Sequence, residues 1–303
     1  MVKIGNTPLL KLDRITDKNC ADVYVKFEGA NPTGSMKDRM ALSMVEGAER
    51  RGELKPGYKV VEYTGGSTGS SLAMVCAMKG YEAHFVSSNG FSAEKIQTMR
   101  AFGATVELIH AEGGILTADI INRMIERAKE LIKEPKTFWP NQVHNMDNKL
   151  AYHHMAKEIT DQLGTEIHEF VAVIGSGGCF SGNVEVLKET VPNLKAIACE
   201  PYYVRNISGG DTSGKHRLEG IGLSFLPSIF RKDLVDDVIP IKDGDAYFTA
   251  RELARKEGIF GGITSGANVW AALQRAKELG PGKKVVTVII DSGLKYLNDD
   301  LYK

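Results

Sequence analysis

The chain carries no excess charge of either sign: Lys plus Arg and Asp plus Glu each number 38 in 303 residues, a formal net charge of +0. With no global field to draw nucleic acid or an anionic membrane surface, small-molecule chemistry is the default class. Long apolar runs are missing as well. The stretch from Met1 to Pro8 has no apolar segment of signal-peptide type, and the run Val285 to Ile290 is interrupted by Thr287, so neither a leader nor a membrane span is expected. Cysteine is scarce. Cys20, Cys76, Cys179 and Cys199 lie far apart without a CxxC pair, which speaks against a zinc knuckle or a disulfide framework and for a reducing, cytoplasmic setting. Glycine, by contrast, is plentiful at 32 residues, in a composition of 43% hydrophobic and 25% charged residues that suits a globular protein rich in tight turns.

Short β-branched runs alternate with helical periodicity. Residues 23–27, 59–63, 83–87, 105–109, 170–174, 195–199 and 285–290 read as strands. Met36, Met40, Met44, Val45 and Ala48 recur at helical spacing, as do Ile121, Met124, Ile125, Ala128 and Leu131, and a longer helix is expected from about Asn148 to Leu163. Strand and helix in alternation imply parallel sheets covered on both faces. A polar passage, Asn141 to Asn148, reads as a crossing between two lobes. The domains expected are residues 32–145, and residues 1–31 together with 146–303. The Gly-, Ser- and Pro-rich region 201–232 fits neither helix nor strand, and long loops of that kind lie at sites.

Three glycine-rich turns carry the chemistry. Asn31 to Arg39 runs from a turn into an amphipathic helix, with Ser35 as a natural cap and Lys37 in the first helical turn. There the helix dipole disfavours an ammonium and keeps an amine nucleophilic; the ordinary alternative is a solvated lysine beside Asp38. Thr64 to Ser71 lies between a strand and a helix and offers N–H groups and hydroxyls to an anion such as a carboxylate. Gly175 to Gly182 again links strand to helix. Phe180 stands where a dinucleotide fingerprint needs its third glycine, and no Gly-Lys-Ser/Thr follows, yet the backbone can still hold a phosphate.

The motif Asn-Pro-x-x-Ser-x-Lys-Asp-Arg around Lys37 resembles the lysine motif of the cysteine synthase and cystathionine β-synthase family of fold-type II pyridoxal-phosphate (PLP) enzymes. Thr64 to Gly69 is similar to that family's Thr-Ser-Gly-Asn-Thr-Gly substrate loop, and Gly175 to Gly182 to its Gly-Thr-Gly-Gly-Thr-x-x-Gly phosphate loop. Ile4 to Leu9, Gly220-Ile221-Gly222 before Phe225 and Pro227, Gly262 to Ala267, and Asp291-Ser292-Gly293 before Tyr296 resemble further family segments in the family's order. The resemblance implies two doubly wound, mainly parallel-sheet α/β lobes of the tryptophan synthase β-like architecture, with PLP in the cleft between them.

It also implies roles. Lys37 would carry PLP as a Schiff base and then act as base on the substrate's α-carbon. Gly175, Ser176, Gly177, Gly178 and Cys179 would hold the phosphate, Ser67 would lie by the cofactor, and Thr264 would face the pyridine nitrogen, with Ser265 as an alternative hydroxyl. Thr64, Gly65, Gly66, Ser67 and Thr68 would meet the substrate carboxylate with Gln142, and Gly220 would lie at the substrate. The implied reaction is β-replacement on an activated serine, O-acetylserine plus sulfide giving cysteine, through an external aldimine and an aminoacrylate. Cysteine or serine β-lyase activity and cystathionine β-synthase-type chemistry with a thiol are alternatives, and a regulatory module that binds PLP or an amino acid without turnover is a remote one. A homodimer is implied, and so is a catalytic core without the haem segment or regulatory module of the animal cystathionine β-synthases.

The sequence departs from the family pattern at Gly65 and Ser67, which replace a serine and an asparagine, and at Cys179, which replaces a threonine. No metal site is expected. His153 and His154 are adjacent and point different ways on a helix, and no HExxH spacing occurs. Tyr202 and Tyr203 read as ordinary half-buried loop tyrosines.

Overall fold

The computed structural model describes residues 2–223 and 225–303. The chain divides into two compact units, the first made of Lys37–Asn148 with residues 2–4, the second of Gly5–Met36 and Lys149–Lys303. In chain order the strands are β1 (Leu9–Leu12), β2 (Asp22–Phe27), β3 (Lys59–Tyr63), β4 (Glu82–Ser88), β5 (Thr105–Ile109), β6 (Thr137–Phe138), β7 (Glu169–Val173), β8 (Lys195–Pro201), β9 (Asp237–Ile241) and β10 (Lys284–Ile289). The α-helices are α1 (Lys37–Arg51), α2 (Ser67–Lys79), α3 (Ala93–Ala101), α4 (Ala118–Leu131), α5 (Met146–Leu163), α6 (Gly178–Thr190), α7 (Asp243–Glu252) and α8 (Ile263–Leu279).

The sheet of the first unit is parallel throughout, in the order β5-β4-β3-β6. Its central strands β3 and β4 are short runs buried over most of their length, as inner parallel strands are, while the edge strands β5 and β6 are half-buried to exposed. On one face lies α4, whose Ile120, Met124, Ala128 and Leu131 recur at helical spacing and pack with Val61, Val86 and Ala111. Each fully buried side chain of this size stabilises the unit by about 1.5–3 kcal/mol. Thr117 starts α4 by accepting a hydrogen bond from the Ile120 amide. The helix α2 is buried from Thr68 to Cys76, so its apolar surface runs all round rather than along one stripe.

In the second unit the order is β1-β2-β10-β7-β8-β9, and only the β1–β2 pair is antiparallel. The helix α8 packs on β10, β7 and β2. It is fastened to them by Asn268, which accepts from the Val173 amide at 2.8 Å and donates to the Val288 carbonyl at 2.8 Å. Arg275 of α8 makes a two-pronged ion pair with Glu169 at the start of β7, at 2.6 and 2.8 Å.

All the expected strands are present to within two residues, in a doubly wound arrangement. Three strands escape the sequence pattern for physical reasons. β6 has two residues, β1 is a four-residue edge strand, and β9 carries Pro240, which an edge tolerates because one side of it needs no N–H donor. Region 201–232 contains turns and irregular backbone among its described residues. Ser35 stands two residues before the first helical residue of α1, one position earlier than a cap, and its backbone bridges to Asp291. Tyr202 and Tyr203 are more exposed than expected and stack edge to face at 5.2 Å.

Candidate active site

The turn that delivers Lys37 is fixed by backbone bonds. Asn31 is buried and its Nδ2 donates to the Glu28 carboxylate at 2.7 Å, while its Oδ1 accepts from the Gly5 amide at 2.9 Å. Gly34, with φ of +71°, turns the chain so that its carbonyl accepts from the Ser292 amide at 2.8 Å and the next amide but one, Met36, donates to Ile290 at 2.9 Å. Lys37 follows as the first residue of α1, half-buried. Asp38 is fully buried and accepts from the Ser71 hydroxyl at 2.5 Å, so it ties α1 to α2 as a structural carboxylate and is no solvated partner for a surface lysine.

In the first unit the strand order reverses at β3: the chain leaves β3 through α2 toward β4, and returns later to β6 on the other side. Open α/β sheets hold ligands outside the carboxyl ends of strands at such a switch point. The turn Thr64–Gly66 follows β3 and Gln142 follows β6, and the two meet there: Thr68 Oγ1 donates to Gln142 Oε1 at 2.8 Å. Thr64 Oγ1 accepts from the Gly69 amide at 3.2 Å and the Gly66 amide at 3.4 Å, which shapes the turn, and Ser67 opens α2 half-buried. Gly65 has no room for a side chain, because Phe91 fills that space.

Sequence reasoning missed the support beneath this turn. Glu62, fully buried at the end of β3, accepts from Trp139 Nε1 at 2.9 Å and from the Gln142 amide at 3.3 Å. Burial pushes its carboxyl up to about 7 against the pull of those donors. The signal available in the sequence was one acid inside an apolar strand, directly before a glycine-rich turn. Asn148 is a second such support, donating to the Gln142 carbonyl at 2.6 Å.

The second unit has its own switch point, between β7 and β10. The turn after β7 runs Ile174 to Gly177 and feeds α6, whose first-turn amides have no helical carbonyl to meet and could receive an anion. Gly177 takes φ of +84°, and a β-carbon there would lie 2.6 Å from Phe230 Cβ. A β-carbon on Gly175 would lie 2.3 Å from the Gly220 carbonyl, so the structure brings these two together, with Gly220 exposed. Cys179 is buried; its carbonyl accepts from Asn183 Nδ2 at 2.7 Å. The turn offers a run of backbone amides beside the Ser176 and Cys179 side chains, a donor set that suits a phosphate.

Thr264 lies in the first turn of α8, 4% exposed, and its hydroxyl makes no hydrogen bond with a described residue. The neighbouring Ser265 hydroxyl is committed to the end of β10, accepting from the Ile290 amide at 2.9 Å and the Asp291 amide at 3.5 Å. The carboxylate of Asp291 accepts from the Tyr296 hydroxyl at 2.7 Å, and burial together with that charge holds the Tyr296 phenol well above its usual range. Among the described residues no group of three or more His, Cys, Asp or Glu side chains could hold a metal ion, and His153 pairs with Glu185 at 3.0 Å while His154 is exposed.

A family model described as pyridoxal-phosphate dependent enzyme matches residues 1–291. The chain is 43% identical to a cysteine synthase of Staphylococcus aureus over 301 residues, covering 99% of this chain and 95% of the relative. It is 40% identical to a probable cysteine synthase of Bacillus subtilis over 304 residues, 99% and 96% of the two chains. Among solved structures it is similar to a hydrogen sulfide-producing enzyme from Fusobacterium nucleatum, with TM-score 0.91, 40% identity and coverage of 97% and 96%. A cysteine synthase from Entamoeba histolytica superposes with TM-score 0.92 at 35% identity, over 99% of this chain and 88% of that one.

Proposed function

This chain belongs to the pyridoxal-phosphate dependent enzyme family, and from that membership we propose how its residues carry out the work of a cysteine synthase. The reaction is β-replacement: O-acetylserine and sulfide give cysteine and acetate. When bound, pyridoxal phosphate supplies the electron sink that lets the substrate's α-proton and its β-substituent depart.

The residues fit that group. Amides from Gly175 to Cys179 receive the phosphate, in a turn whose glycines at 175 and 177 leave room to pack against Gly220 and Phe230. Lys37 anchors the cofactor through its amine, and the same amine then takes the proton from the substrate α-carbon. The turn Thr64–Thr68 binds the substrate carboxylate with its amides and hydroxyls, joined by Gln142 at the switch point. Gly220 borders the site from the loop side.

One observation carries the β-chemistry. Thr264 is a buried residue whose hydroxyl makes no hydrogen bond with a described residue, Ser265 is occupied, and the nearby carboxylate of Asp291 is held by Tyr296. A hydroxyl does not protonate a pyridine nitrogen as a carboxylate does, and a less electron-poor ring favours loss of a β-group over transamination.

A second reading has its own support. The similarity to a hydrogen sulfide-producing enzyme over nearly the whole chain favours sulfide release from cysteine as a companion activity. We also propose a homodimer, since Phe248, Leu294 and Leu297 leave apolar surface uncovered, and a cytoplasmic setting, in keeping with four cysteines that form no disulfide. Purified protein offered O-acetylserine, O-phosphoserine, serine, cysteine and homocysteine, with sulfide and amino-acid products followed, tests the reading. Fastest formation of cysteine from O-acetylserine and sulfide supports it; sulfide release from cysteine without synthesis favours the second reading alone.

A further inference from the structure

The strand β3 reads Lys-Val-Val-Glu-Tyr, and its acid, Glu62, has no exposed surface. A carboxylate taken out of water needs a cation or several donors around it. Glu62 is met by donors: Trp139 Nε1 at 2.9 Å and the Tyr63 amide at 3.1 Å on one oxygen, and the Gln142 amide at 3.3 Å on the other, with the Asn141 amide adding to them. Apart from Tyr63, all belong to one short segment, 139–142, which leaves β6 and bends at Asn141 with φ of +48°. The side chain at the end of that segment is Gln142, whose Oε1 accepts from Thr68.

We infer that Glu62 is a positioning residue for the amino-acid substrate: its carboxylate clamps segment 139–142 to the end of β3 so that Gln142 meets the substrate turn. The inference rests on the reading of Thr64–Thr68 and Gln142 as the carboxylate site. An ionised carboxylate can accept from all of these donors, whereas a protonated one carries a proton that none of them can take. Losing one such bond at the clamp moves Gln142 relative to Thr68, and so weakens substrate binding without touching the amine that moves the proton. Burial places the ionisation of Glu62 at about 7, and its titratable neighbour is Tyr63, whose phenol is pushed up by burial and by Glu62 itself. Trp139, Asn141 and Gln142 are neutral, so the clamp responds to Glu62 alone.

The holoenzyme with Glu62→Gln provides the test, read in two independent ways. Loss of uniform binding raises KM for O-acetylserine about tenfold while kcat stays within about threefold. Separately, in resting holoenzyme labelled with 15N-tryptophan, the Trp139 indole resonance, assigned by its absence in Trp139→Phe with Trp270 as internal control, shifts with a midpoint near pH 7 in wild type. It does not titrate in Glu62→Gln. A wild-type KM in Glu62→Gln, or a Trp139 resonance that is flat with pH in wild type, overturns the inference. If Glu62→Gln fails to fold, the wild-type titration and a shifted KM–pH midpoint in Trp139→Phe decide it. The resonance needs no turnover, so a protein inactive on O-acetylserine would defeat the proposed function and still leave the clamp decided.

Discussion

Phe91 occupies the place where residue 65 would carry its side chain: a β-carbon on Gly65 would lie 2.1 Å from Phe91 Cγ. The glycine is there for space, since its φ lies outside the left-handed region. Phe91 in turn packs at the edge of the core around Val61 and Val86. Gly65→Ser must expel the ring, at a cost of about 1–3 kcal/mol of stability. Adding Phe91→Ala to Gly65→Ser should return part of that loss, because the two residues compete for one space. Calorimetric melting of both single variants and the double variant checks this; losses that simply add would show that the two do not compete.

Thr264 and Ser265 are adjacent hydroxyls in different surroundings. Ser265→Ala removes the acceptor of two buried amides, Ile290 and Asp291, and should lower stability by about 1–3 kcal/mol. Thr264→Val keeps the shape and breaks no hydrogen bond with a described residue, so the apo protein should melt as wild type does while the cofactor's absorption spectrum with amino acid bound changes. Equal melting losses in the two variants would reassign the roles.

The three turns at residues 31–39, 64–71 and 175–182 that run into helices were legible in the sequence, because backbone that bends tightly before a helix favours glycine, serine and proline. What stayed hidden lies on the far side of each turn. Phe91 reaches Gly65 and Trp139 reaches Glu62 through folding alone, and no local pattern links residues that far apart. That the Ser265 hydroxyl is taken up by the Ile290 amide likewise needed the end of β10 in view. The pairing of Asp38 with Ser71 gives the same lesson, since in sequence the acid looks like a neighbour for Lys37.

The raised ionisation of Glu62 has a consequence for stability. An acid that ionises near 7 when folded and near 4.5 when unfolded binds more protons in the folded state between those values. Its contribution is therefore fully present below about pH 4.5 and is lost as pH rises through about 7, with an upper bound of roughly 3 kcal/mol. Relative to Glu62→Gln, wild type should lose stability over that window in urea unfolding. A difference between the two that does not change with pH would mean that Glu62 ionises at its ordinary value.

The central claim is that Lys37 holds the cofactor by its amine and thereby makes the chain a catalyst. Borohydride reduction of the holoenzyme followed by peptide mass mapping reads that bond directly. The account predicts a pyridoxyl adduct on the peptide containing Lys37, and none after Lys37→Ala, with the visible cofactor band and cysteine formation lost in the same variant. An adduct on another lysine, or an unchanged band and full activity in Lys37→Ala, would contradict it.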